Sequence, residues 1–91
     1  MSVVLDKRFL LDFNIDISDT KFMDIDQIRT FLGVVANNSF LETANRLHVT
    51  QSTVSTRIQR LEAYLGVTLF VRNRSGATLT LAGQRFFRHA K

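Results

Sequence analysis

The sequence contains no cysteine among its 91 residues, so neither a disulfide framework nor a cysteine-based zinc site can hold the fold. It also has no apolar run near the roughly 18 residues that a membrane span requires. Met1 to Leu5 carry no basic residue ahead of their short apolar stretch, which argues against a secretory leader. Histidine occurs twice, as His48 and His89, and neither stands beside a carboxylate pair, a glycine-rich phosphate loop or a nucleophile–base set. Ser52 and Ser55 lie near His48, but the start of a capped helix accounts for them better than a catalytic triad does. These absences predict a soluble, cytoplasmic domain that is not an enzyme and holds no metal, cofactor or small-molecule site.

What is present fits one small folded unit. Ninety-one residues suit a single domain with a modest core, and 45% apolar residues with 8 phenylalanines argue against disorder. The charge is uneven. Residues 1–22 hold Lys7, Arg8 and Lys21 against Asp6, Asp12, Asp16 and Asp19, whereas from Arg46 to Lys91 eight basic residues face only Glu62. Seven of those eight are arginine, whose planar fork suits phosphate oxygens. A one-sided arginine excess on a small domain reads as a polyanion-binding face, with a merely solvated basic surface as the plainer alternative.

Along the chain, Leu11, Phe13, Ile15 and Ile17 alternate with Asp12, Asn14 and Asp16, the period of a half-buried strand over 11–17. No second strand adjoins it, so residues 1–22 read as an N-terminal extension. Asp24 can cap a helix with an apolar stripe at Ile25, Ile28, Phe31, Leu32 and Val35, ending at Asn37-Asn38. Ser39-Phe-Leu-Glu42 is a capping-box pattern that opens a short helix with Phe40, Ala44 and Leu47 inside. After a turn at His48-Val49, Thr50 can cap a third helix running to Leu65, with Val54, Ile58, Leu61 and Leu65 buried and Gly66 as the stop. Val67 to Arg72 and Ala77 to Thr80 read as two strands around a turn at 73–76, and Thr80 can cap a last helix from Leu81. In that helix Ala82 and Phe86 face the domain, leaving Phe87 and Ala90 on an adjoining, uncovered face.

Two helices joined by a tight turn, the second capped by Thr50, predict a helix-turn-helix. With its apolar stripe buried, the second helix turns Ser52, Ser55, Thr56 and Gln59 outward, with Gln51 on the exposed first turn. Hydroxyls and amides without a carboxylate suit the major groove, where Gln51 can pair with adenine and the hydroxyls can meet bases or phosphates. Arg72 and Arg74 flank the following hairpin, a wing that reaches phosphates or the minor groove. Arg57 lies where it can touch phosphate, while Arg60 can equally pair with an acidic neighbour. The predicted fold is mainly α: a three-helix core, a two-stranded wing and a C-terminal linker helix. A competing reading is a protein-interaction module using the 11–17 strand or the Phe86-Phe87 helix.

From Met23 onward the sequence resembles the N-terminal domain of LysR-type bacterial transcriptional regulators. The resemblance rests on Phe31 with Val35-Ala36, Ser39-Phe40, Ala44 with Leu47, Thr50-Gln51-Ser52 and Val54-Ser55. It continues through Ile58, Leu61-Glu62, Leu65-Gly66, Leu69-Phe70 with Arg72, Leu79-Thr80 and Ala82-Gly83. It implies a winged helix-turn-helix over 23–91, sequence-specific binding of double-stranded operator DNA, and a homodimer formed through the 81–91 helix. The recognition helix, 50–65, would enter the major groove and the wing, 72–76, would lie on the backbone or minor groove. The DNA-contacting set is then Ser39, Thr50, Gln51, Ser52, Thr53, Ser55, Thr56, Arg57, Arg72 and Arg74. Four positions depart from the family pattern: Thr43 replaces a small apolar residue, Thr56 a basic one and Leu81 a proline, while Arg74 follows Arg72 by two positions where three is commoner. Met23 lies where such proteins usually begin, and the large effector-binding domain of the family has no counterpart here.

Overall fold

A computed structural model describes Leu11, Phe13 and residues 24–90. Three helices come first, α1 (Ile25–Asn37), α2 (Phe40–Leu47) and α3 (Gln51–Leu65); a hairpin of β1 (Phe70–Asn73) and β2 (Gly76–Leu79) follows, and α4 (Leu81–Ala90) closes the order. This is the mainly helical core with a two-stranded wing and a terminal helix that the sequence predicts.

The helix starts are set by the expected caps. Asp24 accepts the Gln27 N–H at 2.9 Å, Ser39 the Glu42 N–H at 3.0 Å, Thr50 the Thr53 N–H at 3.1 Å and Thr80 the Gly83 N–H at 2.9 Å. The capping box at Ser39 is only half made, because the Glu42 carboxylate pairs with Arg46 at 3.3 Å along the helix. Left-handed residues end the first three helices: Asn38, His48 and Gly66, with φ of 54°, 59° and 73°.

The core forms where α1, α2 and α3 meet beneath the hairpin. Val54, Ile58, Leu61 and Leu65 are buried on α3, as their spacing predicts. On α1 the buried side is rotated from the expected stripe. Gln27, Ile28, Thr30, Phe31 and Val34 are inside, while Ile25 is 55% exposed and Leu32 and Val35 are half-buried. Thr30 tolerates burial because its hydroxyl donates to the Asp26 carbonyl at 2.7 Å. Thr43, the departure from the family pattern, is buried in the same way, donating to the Ser39 carbonyl at 2.7 Å. A Cβ on Gly33 would come 2.9 Å from the Thr43 methyl, so a bare glycine lets α1 approach α2.

The hairpin is antiparallel, with Phe70 opposite Leu79 and Asn73 opposite Gly76. The first strand starts later than the expected Val67, because Leu69 gives its N–H to α3 and only its carbonyl to the returning chain. Its N–H donates to the Glu62 carboxylate at 2.7 Å, and its carbonyl accepts the Thr80 N–H at 3.0 Å. The turn is the pair Arg74-Ser75, fixed by Asn73 Oδ1, which accepts from both the N–H and the hydroxyl of Ser75. At the return, the Ala77 N–H donates to the Asn38 carbonyl at 2.9 Å, and a Cβ on Gly76 would fall 2.1 Å from that oxygen. A phenylalanine cluster joins the layers: Phe31 lies 4.8 Å from Phe86 and 5.3 Å from Phe70, between ring centroids.

Two expectations for the chain ends change. On α4 the buried side is Gly83, Phe86 and Ala90, so Ala90 is fully buried and does not share an uncovered face with Phe87, which is itself half-buried. The 3-then-4 spacing of these residues carries the apolar face back onto the domain. Of the 11–17 stretch, only Leu11 and Phe13 are described. Leu11 is helical and exposed, and Phe13 lies in a turn with its ring edge-on to Phe86 at 5.9 Å. At these two positions the strand reading fails, since Phe13 gains aromatic contact on α4 that an unpaired strand does not offer. The rest of that stretch, and of the 1–22 extension, lies outside the described residues.

Candidate nucleic-acid interface

The second helix of the helix-turn-helix, α3, has its outer side open along its length. Gln51, Ser52, Thr56, Gln59 and Arg60 are exposed, and Thr53, Ser55 and Arg57 are half-buried. The turn before it is packed by Val49, whose N–H donates to the Ala44 carbonyl at 3.0 Å. Ala44 is buried where α2 meets α3, so a small side chain there sets how closely the two helices approach. The angle at which α3 is presented therefore follows from core packing.

Two recesses divide that outer side. One, lined by Ser52, Thr53, Thr56, Arg57 and Arg60, runs along the edge of α3 facing away from the hairpin. The other lies between α3 and the hairpin and is lined by Ser55, Gln59, Glu62, Thr68 and Arg72 over a floor of Phe40, Ile58 and Phe70. Ser39, Thr50, Gln51 and Arg74 belong to neither: Ser39 caps α2, Thr50 caps α3, Gln51 opens α3 and Arg74 occupies the wing turn.

Several polar atoms already have partners within the domain. The Thr50 and Thr53 hydroxyls lie 2.9 Å apart, so one donates to the other and the pair keeps a single hydroxyl proton to offer outward. Arg57 donates from Nη1 to Thr30 Oγ1 at 3.4 Å, which ties it to α1 while its other N–H groups remain at the recess. Glu62, the one acidic residue of α3, is engaged by the Leu69 N–H. Arg60 was open to pairing with an acid; among the described residues the one ion pair is Arg46–Glu42.

Arg72 is the residue whose setting the sequence did not disclose. It lies within β1 opposite Ala77, not in the turn, and its guanidinium carbon sits 4.1 Å from the centroid of the Phe40 ring. The available signal was strand alternation: Arg72 is two residues from the buried Phe70 and so shares its side of the hairpin. Among the described residues no group of three or more histidine, cysteine, aspartate or glutamate side chains is placed to hold a metal. No helix of the described residues is long and apolar enough to cross a membrane.

Two helices around a tight turn, an outward second helix and an antiparallel hairpin define a winged helix-turn-helix domain. The family model described as bacterial regulatory helix-turn-helix protein, lysR family, matches residues 25–84, and the chain belongs to that family. Relatives named HTH-type transcriptional regulator HdfR, from Salmonella newport and Salmonella typhimurium, are each 44% identical over 69 residues. That match covers 76% of this chain and 25% of each relative, so the chain spans about a quarter of their length. Among solved structures, the CbnR DNA-binding domain in complex with DNA superposes with a TM-score of 0.72 at 38% identity, over 75% of this chain and 78% of that one. The BenM DNA-binding domain with catB site 1 DNA gives 0.71 at 34%, covering 75% and 76%.

Proposed function

We propose that this domain binds double-stranded DNA in a sequence-specific manner as the DNA-binding part of a transcriptional regulator. Helix α3 enters the major groove, with Gln51, Ser52, Ser55 and Thr56 toward base edges and nearby phosphates. Ser39, Thr50, Thr53, Arg57, Arg72 and Arg74 hold the backbone or the minor groove. One observation carries this reading: α3 exposes amides and hydroxyls flanked by Arg57 and Arg60, and its sole carboxylate, Glu62, is occupied by the Leu69 N–H. Such a surface offers donors to phosphate and base, with its one repelling charge, Glu62, near the far end of the helix. The likeness to domains solved with DNA supports the same orientation.

The reading extends to a cytoplasmic regulator without catalytic activity that pairs with a second copy through α4. The outward strip of α4 holds Leu81, Gln84, Arg85 and Arg88. Ten residues give only about 15 Å of helix, and two such strips bring arginines together. The pair is therefore weak in solution and strengthened by a two-fold symmetric site on DNA.

The test is a selection of bound sequences from random duplex DNA, followed by anisotropy titrations of the winner at several salt concentrations. Log affinity should fall linearly with log salt, by roughly 0.9 per phosphate contact. A flat response, or a selection that enriches nothing, removes the DNA-binding assignment and favours a protein-interaction module.

A further inference from the structure

We infer that Phe40 is a positioning residue for DNA contact: its ring holds the Arg72 guanidinium beside α3, so that this arginine serves the recognition-helix surface and not the wing tip. The inference rests on the DNA-binding reading and adds a residue to it that touches no DNA.

The ring is fixed before the arginine arrives. Phe40 is buried at the first position of α2, and Phe70 meets it edge-on, with centroids 5.8 Å apart and an interplanar angle of 82°. Its face, which carries the negative part of the ring quadrupole, lies under the Arg72 guanidinium carbon at 4.1 Å. The backbone beneath the arginine is equally fixed, because Arg72 pairs with Ala77, and the Ala77 N–H is held by the Asn38 carbonyl.

No ion pair among the described residues ties up the charge so placed. Glu62 lines the same recess, but its Oε2 accepts the Leu69 N–H, and no ion pair to Arg72 is formed among the described residues. Ser55, Gln59 and Thr68 line the recess as well, so apart from Glu62 the polar groups around the guanidinium on the flank of α3 are neutral. The guanidinium N–H groups make no hydrogen bond or ion pair among the described residues, so they remain available to an incoming anion. An exposed arginine without such a shelf samples many rotamers and must be ordered when it binds. Here the ordering is built into the free protein, the usual advantage of preorganisation. Arg74, in the wing turn beside Ser75, has no aromatic shelf among the described residues.

A double-mutant cycle on the selected DNA tests this. Phe40→Leu fills part of the same volume without a π face and should weaken binding roughly threefold to tenfold. In an Arg72→Ala background the same change should cost nothing further. An equal loss with and without Arg72, or no loss in either, overturns the inference, because it would mean that Phe40 acts on the fold alone or not at all. Thermal melts of all four proteins accompany the cycle. An NMR measurement on the free wild type covers the case in which Phe40→Leu does not fold. Ring current should shift the Arg72 Cδ protons upfield of those of Arg74, and equal shifts would overturn the placement. That measurement needs no DNA, so failure of the DNA-binding reading and failure of this one are told apart.

Discussion

Gly66 and Gly76 both have positive φ, at 73° and 132°, yet their replacement should have different consequences. A Cβ at Gly66 meets nothing within 4 Å, so Gly66→Ala suffers only the left-handed backbone penalty, about 1 kcal/mol. At Gly76 the φ is one that L-residues avoid and the Cβ would strike the Asn38 carbonyl, so Gly76→Ala should cost more than about 3 kcal/mol. Urea denaturation of the two variants should show this order; equal midpoints would mean that the hairpin shifts freely on α1. A second residue-scale contrast concerns reading against holding. Gln51→Ala should alter which base is preferred, at about 1–3 kcal/mol, whereas Arg74→Ala should weaken all sequences alike and shallow the salt slope. Repeating the selection with each variant checks this, and a changed consensus for Arg74→Ala alone would relocate the reading surface.

At the scale of elements, what could be read from the sequence followed the reach of the interactions involved. Helix α3 was legible to its last buried residue, because Val54, Ile58, Leu61 and Leu65 repeat at one period and Thr50 and Gly66 mark its ends locally. Helix α1 was legible as a helix but not in its orientation. Gln27 and Thr30 are buried polar residues, and a hydropathy stripe does not register a threonine whose hydroxyl is satisfied by Asp26 one turn earlier. The start of β1 was misplaced because the partner of the Leu69 N–H is a side chain on α3, which β-propensity does not encode. The candidate DNA-contacting residues lie on α3, around the hairpin and, for Ser39, at the start of α2, but Arg57 reaches Thr30 across 27 residues and Arg72 reaches Phe40 across elements, contacts no local pattern shows. The Leu69–Glu62 bond also yields a prediction. Glu62→Gln keeps an acceptor but loses the charge, so stability should drop by about 1 kcal/mol. Affinity for DNA should rise, since a carboxylate beside the recess repels phosphate. Unchanged or weaker binding would place Glu62 outside the DNA's reach.

For the whole molecule, a formal charge of +4 at pH 7 is concentrated toward one end of the chain, and the proposed second copy must join through a partly basic strip. Leu81 is 73% exposed, so Leu81→Asp should leave the melting temperature nearly unchanged while weakening self-association about tenfold or more. Sedimentation equilibrium over a wide concentration range measures it; a dimer indifferent to Leu81→Asp would have its interface elsewhere. The anchoring of the hairpin bears on the assembly with DNA. Its return strand is fastened to the Asn38 carbonyl, and its far end to the Leu69 carbonyl, which takes the Thr80 N–H and leaves no room for a Cβ on Gly83. The hairpin and α3 thus form a caliper with its jaws already set. When such a tool closes on a duplex, the duplex must yield, so base steps that kink or narrow easily between the jaws will be favoured at positions no side chain touches.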